Sequence, residues 1–442
     1  MNFKLIISLL TILLMSHVLF AQRMMEIGIK SAIELGVANS KALKLSQTEI
    51  QQAVARLEIV KDQILPTATA GLMYTHNEIL SGEFNWGKNF SAYHLPKRTD
   101  AIFGTVLLKE VLYGGGKLRY GKESTRLLIE VARLDADMDL EEVTYAIINT
   151  YYSLYKMVQS LKVVDQNLES LKSQVSQAER FFDQGLVTKN DVLRFKLRQA
   201  NIVLEQLDME SNRRIIHYNL AILLGLPEDI QIKVSDPGQE LIQPVTLNEY
   251  IALAIANRKE LKQLAVQNTV AGLKIKSIKA NAFPSLALNA NLYYFDPSAS
   301  LIPMMNRYIV PLALGASLSW NIASIYTNRN KVSKAGIEQK TIAIQKDLES
   351  DKIKSDVNRH YQNYLTAVNN IQVLETSIVQ AIENDRLLAS KYKNNVASVT
   401  DRIDAESVLY QAKISLEIAK ANAGLAYYAL LKSTGTITQP TK

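Results

Sequence analysis

Cysteine is absent from the 442-residue chain. That excludes disulfide staples, thiol nucleophiles, thiolate metal centres and a lipid anchor on an N-terminal cysteine. Histidine is nearly as scarce. His17, His76, His94, His217 and His360 are scattered, and none stands in the H-E-x-x-H spacing of a zinc hydrolase. No G-x-S-x-G nucleophile turn occurs. The run Gly114-Gly115-Gly116-Lys117 fails as a phosphate loop, because Val111 and Leu118 stand where glycine and a hydroxyl residue are required. An enzyme, a cofactor and a bound metal are therefore not expected. Past the N-terminus no stretch reaches the roughly 18 apolar residues of a spanning helix. Proline is missing between Pro96 and Pro227 and again between Pro311 and Pro440, and glycine is missing from Lys122 to Gln184. Removing both helix breakers over such distances permits very long helices. No block of one charge sign stands out. The net charge of +7 is spread over mixed-sign segments, which describes solvated helix faces and gives no reason to expect a nucleic-acid partner.

What is present begins with Lys4, the apolar run Leu5–Met15 and the small-residue exit Leu19-Phe20-Ala21. This is the grammar of a signal peptide, expected over residues 1–21, and it places the remainder beyond the inner membrane. A secreted chain lacking a second apolar span is soluble, released, or inserted as a β-barrel, whose alternating strands escape hydropathy.

The chain is duplicated. A shift of 218 positions lays Ala38-Asn39-x-Lys41-x-Leu43-Lys44 on Ala256-Asn257-x-Lys259-x-Leu261-Lys262, and Pro66 on Pro284. A shift of 210 lays Phe182 on Tyr392, Gly185 on Asn395, Thr188 on Ser398 and Asp191 on Asp401. The expected divisions are a first repeat over 22–225, a connector over 226–245, a second repeat over 246–435 and a tail over 436–442.

Each repeat predicts the same series. A helix (near 27–64 and 246–282) stops before a proline. Alternating strands near 67–76 and 101–113, and near 285–295 and 311–322, make a hairpin in each half. Two long helices follow, near 117–184 and 189–225 in the first half and near 325–393 and 399–432 in the second. Leu127, Val131, Leu134, Met138, Tyr145, Ile148, Tyr152 and Tyr155 step by threes and fours as a coiled-coil seam, with Glu141 its polar exception. At 1.5 Å per residue, a helix of about 60 residues is about 90 Å long. Gly185 suits a left-handed turn after the first long helix, and Asn395 is the next most tolerant residue at the second. Thr188 or Asn190, and Ser398 or Thr400, can cap the returning helices. Four strands per chain are too few to close a water-filled barrel, so hairpins must be pooled between copies, and three copies supply twelve. The fold class expected is mainly α with a β-barrel portion.

These pieces, in this order, resemble the TolC-like outer-membrane efflux protein family over essentially the whole mature chain. The likeness rests on the passages at Pro66 and Pro284, the strand exit Leu112-Tyr113-Gly114-Gly115-Gly116, and the tip Phe182–Leu193. The C-terminal pattern Tyr392…Asp401-x-x-Asp404…Leu409-Tyr410-Gln411-Ala412-Lys413 completes it. The resemblance implies a homotrimer in which a shared twelve-stranded barrel in outer-membrane lipid continues into an α-helical periplasmic tunnel. It also implies docking by a periplasmic adaptor coupled to an inner-membrane pump of RND or ABC type, in efflux or type I secretion. Asp401 and Asp404 match the family's aperture aspartates, and Asp191 and Tyr392 match positions that hold the closed tip. Gly185, Leu186, Val187 and Thr188 match an adaptor-docking tip, with Asn395, Val396, Ala397 and Ser398 its second copy. Ala397 departs from the basic residue usual there, and either Arg402 substitutes for it or closure relies on other contacts. The competing reading is a secreted coiled-coil scaffold without channel activity.

Overall fold

The computed structural model describes residues 24–78, 80, 83–84, 93–94, 98–227, 229–238, 245–297 and 308–438. The expected signal peptide, much of the stretch between the two expected strands of each hairpin (77–100 and 296–309) and the last four residues lie outside these. Helices dominate. Among the described residues no helix is long and apolar enough to cross a membrane. Two compact units form, each drawing on both halves of the sequence: the described residues within Met1–Gln47, Asp135–Leu261 and Leu348–Lys442, and those of Thr48–Leu134 with Lys262–Asp347.

The second of these units is built on a sheet. Strands β2 (Thr67–Glu78), β5 (Arg98–Gly114), β7 (Ser285–Pro297) and β8 (Leu312–Ser319) lie in the order β2-β5-β7-β8 and are antiparallel throughout. Between β2 and β5 comes the short pair β3 (Glu83–Phe84) and β4 (Tyr93–His94). The β5–β7 pairing joins one hairpin from each repeat, with a bulge between Val111 and Tyr113. Paired residues share a face, so the register sorts side chains into two sets. One set holds Leu72, Val106, Leu108, Leu288, Leu292, Leu312, Leu314 and Leu318, all exposed in the single chain; Glu110 interrupts it, and His76, Glu78, Arg98, Asp100 and Asp296 gather on the same face toward one end of the strands. The other holds Thr67, Thr69, Thr105, Lys109, Asn289, Asn291 and Ser317, mixed with Met73, Phe103 and Phe295. The outer strands β2 and β8 each pair on one side only. The flanking helices α2 (Lys41–Asp62) and α6 (Lys259–Ala280) lead toward Pro66 and Pro284.

The other unit is a set of packed helices with a small parallel β pair. The helix expected near 27–64 is two, α1 (Ile29–Asn39) and α2, broken at Ser40; its counterpart is α5 (Leu247–Asn257) and α6, broken at Arg258. Ser40 and Arg258 take extended backbone, with ψ of 121° and 124°. Both breaks fall inside the Ala-Asn-x-Lys motif that the repeat preserves. The connector expected over 226–245 also differs. It contains β6 (Gln231–Val234), which pairs in parallel with β1 (Met24–Ile27). Four residues are too short a run for periodicity to reveal, and the pairing partner is about 200 residues away in sequence.

The long helices are α3 (Lys117–Asp183), α4 (Lys189–Leu224), α7 (Ser324–Lys393) and α8 (Val399–Ser433). In the helical unit Ile147, Ile148, Tyr151 and Leu154 of α3 pack on Leu220, Ala221 and Leu224 of α4 and on Ile27, Ile29 and Ala32. Ile147, Tyr151 and Leu154 fall off the seam read from sequence, so α3 presents apolar residues to more than one neighbour here. The Tyr151 hydroxyl is 3.0 Å from the Ile27 carbonyl and 2.8 Å from that of Ser235, tying the β pair to α3. A corresponding cluster joins Tyr250 and Ala254 of α5 to Ile353, Val357 and Tyr364 of α7 and Leu430 of α8.

Candidate functional site: the paired helical tips

The two tips are built alike. In the first, the Leu186 N–H donates to the Phe181 carbonyl at 2.8 Å and the Gly185 N–H to Phe182 at 2.9 Å, with Gly185 at φ 74°. In the second, the Val396 N–H donates to Lys391 at 2.8 Å and the Asn395 N–H to Tyr392 at 3.0 Å, with Asn395 at φ 56°. These crossed bonds satisfy carbonyls that the helix end would otherwise orphan, and they require a left-handed residue. Asn395 is the only non-glycine residue at positive φ among the described residues.

The return helices start with reciprocal caps. The Thr188 hydroxyl accepts from the Asp191 N–H at 3.3 Å, while Asp191 Oδ2 accepts from the Thr188 N–H at 2.9 Å. The Ser398 hydroxyl accepts from the Asp401 N–H at 3.1 Å, and Asp401 Oδ2 accepts from the Ser398 N–H at 3.0 Å. Of the alternative caps, Asn190 and Thr400 are not used. The hydrogen bonds from Ser398, side chain then backbone, hold the Asp401 carboxyl below its ordinary range. Asp191 and Asp401 thus each have a structural role, the ordinary acidic first turn of a helix. Asp404, one turn on, is exposed.

Beneath the tips Ala178, Val192, Phe195, Tyr392 and Val399 form one buried cluster. The Tyr392 ring lies 5.9 Å from Phe181 and 5.8 Å from Phe195. Its hydroxyl is buried without a hydrogen-bond partner. Burial first, and Asp191 second, push that hydroxyl's pKa up. On the surface, Leu186 and Val396 are 49% and 74% exposed, Val187 and Ala397 half-buried. Arg194 donates from Nη1 to the Thr400 hydroxyl at 2.8 Å, crossing from one tip to the other.

Arg402 is not where the sequence reading needs it. It is buried and ion-paired with Asp385 of α7, so it is not free to stand in for the basic residue missing at Ala397. A second buried charge escaped the sequence reading. Glu406, 4% exposed, accepts from Asn167 Nδ2 of α3 and, at 3.3 Å, from Arg198 Nε of α4. The available signal was spacing: Val399, Arg402, Glu406 and Tyr410 step by 3, 4 and 4 along α8, which puts two charges on a buried stripe.

No protein-family model matches the chain. Full-length relatives do. The outer membrane efflux protein BepC of Brucella suis is 18% identical over 428 residues, covering 97% of this chain and 89% of the relative. The pyoverdine export outer membrane protein OpmQ of Pseudomonas putida is 22% identical over 436 residues, covering 93% and 87%. Among solved structures, the outer membrane protein VceC of Vibrio cholerae superposes with a TM-score of 0.76 at 16% identity, covering 92% of this chain and 96% of the other. Such a superposition speaks to the fold alone: two α-helical hairpins and two β-hairpins in one chain. Over nearly its full length the chain is similar to outer-membrane efflux and export proteins.

Proposed function

We propose that the chain is one subunit of an exit duct in the outer membrane of a Gram-negative bacterium, carrying cargo from the periplasm outward without chemistry of its own. The observation that carries the reading is the four-stranded sheet. It has one face rich in exposed leucines, an opposite face that mixes Thr, Asn, Lys and Ser with apolar residues, two open edges and too few strands to close alone. An exposed leucine face of this extent needs lipid or protein against it, and the polar side chains opposite suit a water-filled lumen. Three copies joined edge to edge, β8 of one to β2 of the next, give twelve strands and leave no edge unpaired. The second reading, a secreted scaffold, leaves the leucine face and both edges without a partner.

Within this duct the periplasmic aperture is the ring of Asp401 and Asp404, with Asp191 and Tyr392 supporting the tip. Leu186, Val187, Val396 and Ala397, on the turns set by Gly185, Thr188, Asn395 and Ser398, form the contact for a periplasmic adaptor that links the duct to an inner-membrane pump. Exposed apolar side chains on a rigid turn suit a helical-hairpin partner.

Two measurements test this. The mature protein should extract from outer membranes as a heat-modifiable trimer; recovery as a soluble monomer refutes the duct. In planar bilayers, Asp401→Asn with Asp404→Asn should raise conductance and weaken both cation preference and block by multivalent cations. Asparagine keeps the oxygen that accepts from Ser398, so the cap survives while the charge is lost. Unchanged conductance, selectivity and block remove these residues from the aperture.

A further inference from the structure

The leucine face of the sheet carries charge at both ends, and the chain neutralises it at one end only. Toward the strand-connecting loops, Arg98 Nε lies 3.1 Å from Glu78 and His76 Nδ1 lies 2.6 Å from Asp100. Asp100 also accepts from the Tyr74 hydroxyl at 2.7 Å. Among the described residues of that face, the other end holds one charge, Glu110. Its Oε2 is buried and has no hydrogen-bond partner. Lys109 is next to it in the chain, but alternation along β5 turns that side chain to the opposite face. The neighbours of Glu110 on its own face are Leu108 and its β7 partner Leu288.

The spacing of these charges sets Glu110 at a membrane boundary. Ten residues of β5 separate Asp100 from Glu110, roughly 33 Å along the strand and about 23–27 Å in height at the usual barrel tilt. The apolar band of an outer-membrane barrel is about 25 Å tall. Tyr113, Phe283 and Trp320 are exposed where the strands give way to helices, the periplasmic end in the duct. Aromatic rings in that position mark the level of lipid headgroups. Glu110 therefore stands where the headgroups of the periplasmic leaflet adjoin their acyl chains.

A groove starts beside it. Leu108, Leu288, Ala290 and Leu314 wall a furrow of about 500 Å³ on the leucine face, with Glu110 and Pro66 on its periplasmic side. Lys109, Asn289 and Gly315 point through to the other face, so they contribute backbone as the floor. Ala290 makes the depression, since Leu108 and Leu314, its partners on either side, are both large.

We propose that this face is a seat for one phospholipid of the periplasmic leaflet, bearing a primary ammonium headgroup of the ethanolamine type. The ammonium sits on Glu110 and an acyl chain lies in the Ala290 furrow. Charge decides the occupant. A carboxylate at the edge of hydrocarbon needs a cation, and an anionic headgroup would be repelled. A primary ammonium brings N–H donors along with its charge, which a quaternary choline does not. The inference rests on the duct reading, because it needs the leucine face in lipid.

The test places the full-length protein in vesicles of phosphatidylethanolamine and phosphatidylglycerol in equal amounts. The protein is then extracted in mild detergent, and retained lipids are counted by native mass spectrometry. Wild type should retain phosphatidylethanolamine over phosphatidylglycerol by about tenfold or more, the scale of one hydrogen bond between charged groups. Glu110→Gln should bring the ratio near one, and Glu110→Lys should invert it. Lys109→Gln removes a neighbouring charge from the other face and should leave the ratio as in wild type. Ala290→Leu fills the furrow and should release bound lipid of either headgroup, which tests the seat without touching the carboxylate. With phosphatidylcholine in place of phosphatidylethanolamine the bias should fall; an undiminished bias overturns the primary-ammonium assignment. An unbiased ratio in wild type, or retention unchanged in Glu110→Gln or Ala290→Leu, overturns the seat and leaves the duct standing. Loss of a co-purifying protein from Glu110→Gln, with the lipid ratio unmoved, overturns it in favour of a protein partner. Recovery of wild type as a soluble monomer that does not enter vesicles refutes the duct itself, and the seat falls with it.

Discussion

Phe195 gives the sharpest test of how the tips are held. Its side chain is fully buried, edge-on to Tyr392 at 5.8 Å, in the cluster that joins both tips. Phe195→Ala removes a whole ring from a closed site, and such truncations cost about 3–5 kcal/mol. The cluster is small and sits at the free ends of four helices, so the loss should appear locally, as easier opening of the tips, before it appears in global unfolding. Three kcal/mol corresponds to roughly a hundredfold faster exchange of the amides that open with the cluster. Hydrogen exchange on the full-length protein, read over the first turns of α4 and α8, measures this directly. Leu186→Ala is the matched control, deleting an apolar side chain that is 49% exposed a few residues away. It should change tip protection by less than about 1 kcal/mol equivalent, while weakening adaptor capture. Equal effects from the two substitutions, or protected tips in Phe195→Ala, refute the view that one buried cluster anchors both turns.

Glu141 should make the helical unit's stability pH-dependent. Burial, with Glu260 adding, raises its carboxyl pKa although Lys259 lies 3.6 Å away. A raised folded pKa means the stabilising contribution is complete below the ordinary carboxylate range and lost as pH rises through the raised value. Thermal melts of wild type should therefore fall relative to Glu141→Gln on going from mild acid toward neutral; parallel curves remove Glu141 as the cause. Gly185→Ala should cost about 1–2 kcal/mol from backbone alone, because no atom lies within 4 Å of the added Cβ and the residue is at φ 74°. A melt within error of wild type contradicts the turn geometry. Tyr151→Phe strips the hydroxyl that meets the Ile27 and Ser235 carbonyls and should destabilise by about 1–2 kcal/mol in chemical denaturation. No change there means the β1–β6 pair is held by its apolar residues.

Legibility from sequence followed the range of the interactions concerned. The Gly185 and Asn395 turns, the Thr188 and Ser398 caps and the strand alternation after Pro66 and Pro284 all depend on neighbours within a few residues, and their residue types announce them. The break at Ser40 was hidden because serine inside an amphipathic pattern carries no strong stop. The parallel pairing of Met24–Ile27 with Gln231–Val234 was hidden because neither strand is long enough to show a period. The Arg402–Asp385 and Glu406–Arg198 contacts depend on which helix faces which. A charged residue on an apolar stripe warns that a partner exists but does not name it. Arg402 looked available in the sequence for that reason, and the packing shows it taken.

The likeness of the two tips has a consequence for symmetry. In a ring of six identical hairpins, every tip would carry the same side chains, and any charge placed at the aperture would be repeated six times at one radius. Like charges so crowded repel, and no complementary residue could be added at one tip without appearing at all. Joining two hairpins in one chain halves the rotational order. In the proposed trimer, three tips are then free to carry Asp404 and a buried Glu406 while the alternate three carry Arg194 and Lys196. The turn geometry, common to both, stays sixfold; the charge pattern becomes threefold, and alternation between unlike neighbours becomes possible around the circle.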